Sequence, residues 1–289
     1  MIYLENNFIK AGFVEKGAEL QSLINKETGV EYMWGGDPVF WGKHSPVLFP
    51  IVGGLKDNEY SFGGNKYSLG RHGFARDSIF SVIEQTETSI SFGMSDTADS
   101  LTKYPFHFQF LVQYTINKSE LIVKYIVKNM GKDAMYFSVG AHPAFNVPLN
   151  KDLTFEDYSL KFEKKETVSI YPLDDSGQTK INAIPFLNDS DELPLHKSLF
   201  YKDALVFKEL VSDKITIQTK DDTHGITIAF KEYPYMGIWS AKDADFLCIE
   251  PWDGIADNEA VSGVLEEKEG IKILQAAQVY ESSWSISIF

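Results

Sequence analysis

Alternation with a period of two residues is the tightest constraint in this chain. Phe106, Phe108, Phe110, Val112, Tyr114 and Ile116 fall on one face of an extended segment, while His107, Gln109, Gln113 and Thr115 fall mostly on the other. After an Asn117-Lys118 turn the rhythm returns at Leu121, Val123, Tyr125 and Val127, which predicts an antiparallel hairpin. Further strands are predicted over residues 89–92, 159–162, 204–207, 215–219, 225–230, 236–240, 246–249, 273–279 and 284–288, with an extended run at 135–141. No segment keeps a helical period for four turns, and short helices fit only near 100–104 and 258–264. The polar stretches 174–178 and 188–192 read as loops. Many strands separated by turn signals predict an all-β chain, a sandwich or a barrel. No internal repeat, low-complexity tract or Gly/Ser linker interrupts it, so residues 1–289 are expected to form a single domain.

The 14% aromatic content favours strands, because flat and branched side chains fit a pleated surface. A net charge of -14 repels phosphate backbones and anionic lipid, so neither nucleic acid nor a membrane is an expected partner. Cys248 is the single cysteine, which excludes an intramolecular disulfide. Residues 1–13 carry no basic segment followed by an apolar one, and no apolar run approaches a membrane span, so a cytoplasmic location is expected.

Three strings carry the chemistry. In Gly140-Ala141-His142-Pro143-Ala144-Phe145, extension of the 135–141 run puts Tyr136, Ser138, Gly140 and His142 on one face, with Met135, Phe137, Val139 and Ala141 toward the core. His142 thus leaves a face kept open by small neighbours, and imidazole can donate or accept a proton near neutral pH. A surface or structural histidine is the plainer alternative. In Cys248-Ile249-Glu250-Pro251-Trp252-Asp253-Gly254, Glu250 follows an apolar strand, and partial burial lifts a carboxyl toward the range of a useful base. Trp252 offers a flat surface for the C–H face of a sugar, and Asp253-Gly254 reads as a turn; an exposed strand-end glutamate is the alternative. In Gly70-Arg71-His72-Gly73-Phe74-Ala75-Arg76, the glycines permit unusual backbone angles and close ligand approach, and Arg71 supplies a rigid fork of donors for hydroxyl oxygens. A solvated turn explains that string equally well. No His, Cys, Asp or Glu set has metal-ligand spacing, and no GxGxxG or Walker-type loop is present, so neither a metal nor a nucleotide cofactor is expected.

In their order and spacing these strings resemble the aldose 1-epimerase (mutarotase) family, and within it the LacX-type branch. The resemblance spans nearly the whole chain. It includes Gly17-Ala18-Glu19-Leu20-Gln21-Ser22-Leu23, Tyr32-Met33-Trp34-Gly35-Gly36-Asp37, Trp41, Ser45-Pro46-Val47-Leu48-Phe49-Pro50-Ile51-Val52-Gly53, Tyr201-Lys202-Asp203-Ala204-Leu205-Val206-Phe207 and Gly237-Ile238-Trp239-Ser240. It implies a large antiparallel β-sandwich with an open cleft on its concave face, and cofactor-free interconversion of the α and β anomers of an aldohexose. By motif match, Glu250 is the implied base at the anomeric hydroxyl and His142 the acid at the ring oxygen. His72 is implied to hold the sugar near that oxygen, and Asp203, Arg71, Trp252 and Trp239 to bind substrate. Family members often carry an arginine in the segment after Pro50. Here that segment reads Ile51-Val52-Gly53-Gly54-Leu55-Lys56, and only Lys56 stands in for it.

Three other readings compete. A hexose 6-phosphate mutarotase would need a basic cluster, for which Arg71, Arg76, Lys56 and Lys43 are candidates. A non-catalytic sugar-binding protein would share the aromatic platform but has no reason to keep an acid and a base on opposite sides of one sugar. A retaining glycosidase would need two carboxylates about 5 Å apart; Glu250 and Asp253 are near in sequence, but the turn between them is expected to point them apart. A monomer and a homodimer both remain open.

Overall fold

The alternating segment forms strand Phe108–Asn117, which pairs antiparallel with Glu120–Asn129 across a turn where Lys118 takes φ 53°. Phe108, Phe110, Val112, Tyr114 and Ile116 are buried, as the period of two requires. This hairpin lies inside a 15-stranded antiparallel sheet that curls into a sandwich, seen in a computed structural model describing residues 1–289. Strands Ile2–Glu5, Ile9–Phe13 and Leu20–Asn25, which the periodicity did not reveal, form a separate three-stranded sheet. A cluster of 61 buried residues fills the interior. Phe49 sits at its aromatic centre, stacked on Phe110 at 4.5 Å and tilted against Phe108 and Phe137. No helix is long and apolar enough to cross a membrane.

Several expected elements are redrawn. The 135–141 run breaks at Ser138, whose N–H goes to the Pro50 carbonyl; Met135–Phe137 pairs with Lys272–Leu274, and Val139–Ala141 joins the large sheet. The core parity of Met135, Phe137, Val139 and Ala141 survives that break. The 273–279 strand is likewise two pieces, because a turn with Ala277 at φ 61° separates Lys272–Leu274 from Val279–Ile288. Residues 188–192 are not a loop but part of strand Ile184–Pro194, which pairs only with Ser159–Ile170, so its polar side chains stay wet. The first short helix exists as Ala98–Lys103, capped by Thr97. Residues 258–264 form no helix.

One buried ion pair holds the loops beneath the concave face. Lys268 Nζ donates to Asp257 Oδ1 at 2.8 Å and to the Ile255 carbonyl at 2.7 Å. Asp257 in turn accepts the Lys56 N–H at 2.9 Å, and its backbone binds Gly54 and Thr179. Removing one member of such a pair leaves an uncompensated buried charge. Lys268→Met is therefore expected to lower stability by about 3–5 kcal/mol, read as the shift of the urea midpoint at constant slope. A loss below about 1 kcal/mol would show that the pair does not clamp these loops.

Candidate active site

Strand Phe246–Asp253 is buried along its whole length and lies third from one edge of the large sheet. Alternation sends Leu247 and Ile249 into the main core and Phe246, Cys248, Glu250 and Trp252 to the other side. Glu250 is thus a mid-strand residue, 1% exposed, rather than a half-buried strand end, and Asp253 belongs to the strand rather than to a turn. On one flank the strand pairs with Tyr235–Trp239, setting Gly237 beside Glu250 and Trp239 beside Cys248.

The other flank explains the histidine. Val139 and Gly140 pair with Asp253 and Trp252, and Ala144, Phe145 and Asn146 pair with Cys248, Leu247 and Phe246. The register is the same before and after the interruption, so His142 stands directly across from Glu250. Each is followed by a proline, Pro143 and Pro251, which lacks the N–H a continuous ladder needs. Directly opposed residues on neighbouring strands put their side chains on the same face. His142 Nε2 accordingly lies 3.3 Å from Glu250 Oε2. The two side chains are in contact, not separated by a sugar-sized gap.

Small residues beside this pair have a packing reason. A Cβ on Gly140 would meet Trp252 Cδ1 at 2.9 Å, and one on Gly237 would meet Trp252 Cζ2 at 2.5 Å. The two glycines make room for the Trp252 indole rather than directly for a ligand. That ring, 4% exposed, lines the floor, and its N–H has no hydrogen-bond partner. More open ring faces come from Trp41 and Trp239: Trp41 stacks on His142 at 4.9 Å, and Trp239 meets it edge-on at 5.8 Å.

The Arg71-His72 turn closes over this floor. His72 has φ 69°, a left-handed conformation that a non-glycine residue keeps only when its surroundings impose it. Its N–H donates to the Gly53 carbonyl at 2.8 Å, and Gly53 N–H donates back to His72 Nδ1 at 3.1 Å. Nδ1 is therefore an acceptor, and the neutral ring carries its proton on Nε2. Gly73 serves the packing again, since a Cβ there would meet the Phe49 carbonyl at 2.4 Å. His72 and His142 stand ring to ring at 5.6 Å.

A cleft of about 620 Å³ joins these parts with Arg71, Arg76, Asp203, Tyr201, Lys202 and Lys242 along its walls. Asp203, at φ 94°, caps the Ala204 N–H at 2.7 Å and lies 3.9 Å from the Arg71 guanidinium. Arg76 donates to the Arg71 carbonyl at 2.9 Å. Seven of the eight residues expected at the site thus meet in one cleft: Glu250, His142, His72, Asp203, Arg71, Trp252 and Trp239. Lys56 does not. Its N–H is held by Asp257, and its exposed side chain lines a different groove with Asp57, Glu59 and Lys66. Lys43 is also absent from the cleft lining, where Arg71 and Arg76 are the arginines. Asp253 faces away, paired with Lys272 and hydrogen-bonded by Tyr280, so the carboxylate pair of a glycosidase does not form. Sequence reasoning missed Lys202 and Lys242 as cleft residues, and Cys248 as a fully buried neighbour of His142 and Glu250. Only Cys248 carried a signal, two positions before Glu250 on an extended strand.

Burial dominates the electrostatics. It pushes the Glu250 carboxyl well above its usual range, reinforced by Asp203 and opposed by the charge of Arg71. It pushes His142 down to about 3, with Arg71 adding to the shift, and lowers His72 well below the ordinary imidazole value, helped by His142, Arg71 and Arg76. The dry pair thus favours one shared proton on the carboxyl and a neutral imidazole.

Matched by shape, the chain is of the galactose mutarotase-like class. The galactose mutarotase related enzyme from Lactobacillus acidophilus superposes with a TM-score of 0.96 at 35% identity, over 100% of this chain and 97% of that one. A galactose mutarotase-like protein from Lactobacillus casei ATCC 334 gives 0.94 at 32% identity over the full length of both. The family model described as Aldose 1-epimerase matches residues 1–285, and the chromosomal protein LacX of Lactococcus lactis subsp. lactis is 32% identical over 298 aligned residues, 99% of each chain. The chain belongs to the aldose 1-epimerase family.

The buried imidazoles set a pH dependence of stability. Both resist protonation when folded and accept it readily when unfolded. Their contribution to the native state is therefore present above about pH 6.5 and is lost as the pH falls toward their folded values. Glu250 works in the opposite sense, favouring the fold below about pH 4.5 and opposing it as the pH rises through its raised pKa. A His72→Asn, His142→Asn double variant is expected to show a flatter decline of Tm between about pH 6.5 and pH 4 than the parent. Equal slopes in thermal scans would reject the buried neutral state of these rings.

Proposed function

We propose that this protein is a mutarotase that opens and recloses the ring of an aldohexose by general acid–base catalysis. The contact between His142 Nε2 and Glu250 Oε2 at 3.3 Å supports it best. Ring opening removes a proton from O1 and adds one to the ring oxygen, and both oxygens are bonded to C1. An acid and a base serving them can stand close together, as a cross-strand pair does. Glu250 takes the O1 proton while His142 protonates the ring oxygen; the aldehyde turns about C1–C2; closure on the other face returns both protons. One proton shared by the pair suffices. Burial favours carboxylic acid with imidazole, so opening first requires that proton to pass from Glu250 to His142; carboxylate with imidazolium then opens the ring, and carboxylic acid with imidazole closes it. His72 donates from Nε2 toward the ring oxygen, Asp203 and Arg71 hold hydroxyls, and Trp41 and Trp239 wall the sugar. No cofactor is needed for these steps.

Four cations, Arg71, Arg76, Lys202 and Lys242, share the cleft walls with Asp174, Asp175 and Asp203, and on those cations rests a second reading in which the aldohexose carries an anionic group such as a 6-phosphate. Polarimetry of freshly dissolved α-galactose, α-glucose and α-glucose 6-phosphate separates the two. The parent is expected to accelerate at least one of them, with Glu250→Gln and His142→Asn each slower by about 10²–10⁴-fold. No acceleration of any of these sugars, with normal sugar binding by Glu250→Gln, would make the protein a binder instead.

A further inference from the structure

We propose a binding site for a thiophilic divalent cation such as Zn²⁺ at the base of the cleft, where the buried Cys248 adjoins the lining residues His142 and Glu250. One ligand atom from each lies within 4.8 Å of the other two. The arrangement follows from the sheet: Cys248 and Glu250 share a face of one strand, and His142 stands across from Glu250 on the next. Zinc binds sulfur, nitrogen and oxygen donors at about 2.0–2.3 Å, so small side-chain rotations bring all three to an ion between them. The residues are 0%, 1% and 9% exposed for Cys248, Glu250 and His142. Glu250 Oε2, aimed at His142, is buried without a hydrogen-bond partner.

The donor set narrows the ion. A thiolate, an imidazole and a carboxylate suit Zn²⁺, whereas Mg²⁺ and Ca²⁺ prefer all-oxygen shells. Three protein ligands beside an open cleft leave a fourth position for water, the ligand number of zinc sites that keep one open coordination position. Binding forms three metal–ligand bonds and releases the Cys248 thiol proton, plus any proton shared by Glu250 and His142, to solvent. Affinity should therefore rise with pH. The cation would occupy both groups assigned to proton transfer and so inhibit mutarotation. That corollary rests on the function proposed above; the binding itself does not.

The test uses the full chain freed of metal by a chelator. Titration with Co²⁺ should saturate at one equivalent and produce a near-ultraviolet thiolate-to-cobalt charge-transfer band, which Zn²⁺ then abolishes by displacement. Cys248→Ser should lose that band and, against a competing chromophoric chelator, bind Zn²⁺ at least about tenfold more weakly. Glu250→Gln, a second variant should the serine protein fail to fold, should keep the band but show a similar loss of Zn²⁺ affinity. Absence of the band in the parent, or Zn²⁺ affinity unchanged in a folded variant, overturns the proposal. Polarimetry of the metal-free parent reports on the mutarotase reading separately.

Discussion

The contact on which the site depends is the cross-strand pairing of His142 with Glu250 near one end of the large sheet. Everything around it keeps two polar groups together in a dry place. The pairing on either side of the interruption holds their register, and Pro143 and Pro251 remove the donors that would otherwise demand a continuous ladder there. Gly140 and Gly237 let Trp252 lie flat across the floor next to them. A rigid sheet holds the pair more tightly than two loops would, as the proposed reaction at two oxygens of one carbon requires.

Burial then sets the chemistry of the pair. Desolvation disfavours both charges, so carboxyl and imidazole drift toward their neutral forms while the number of protons between them stays the same. Arg71 pulls Glu250 back toward the carboxylate and makes the His142 imidazolium harder to form, so its position over the floor tunes which partner holds the proton. The left-handed backbone at His72 belongs to the same design. Reciprocal bonds to Gly53 fix its tautomer, and the Lys268–Asp257 pair anchors the chain on the far side of Gly53.

The hairpin of residues 108–129 was legible because one of its faces is core and the other faces water, which writes an alternating pattern into the chain. Strand Ile184–Pro194 was not legible, since a wet outer strand has the composition of a loop. The breaks at Ser138 and near Ala277 were invisible for another reason: a strand that changes partners keeps its residue types and its parity. At the site, the histidines and Glu250 stood out by their neighbours, and Gly73 takes the unusual backbone angle expected of it, φ 70°, but Gly140 was assigned the wrong cause. Local sequence says that a glycine is required, not which group approaches it.

The sequence by itself determined an all-β chain, its core parity and, through the resemblance of its ordered motifs, the family to which it belongs. These follow from local periodicity and from short strings that survive in isolation. Tertiary structure alone decided that His142 and Glu250 touch, that Lys56 lies outside the cleft while Arg76, Lys202 and Lys242 line it, and that the Cys248 thiol lies within 4.8 Å of both side chains. The physical reason is register. Contacts between strands more than a hundred residues apart are set by which backbone groups meet, and no local pattern of side chains specifies that meeting.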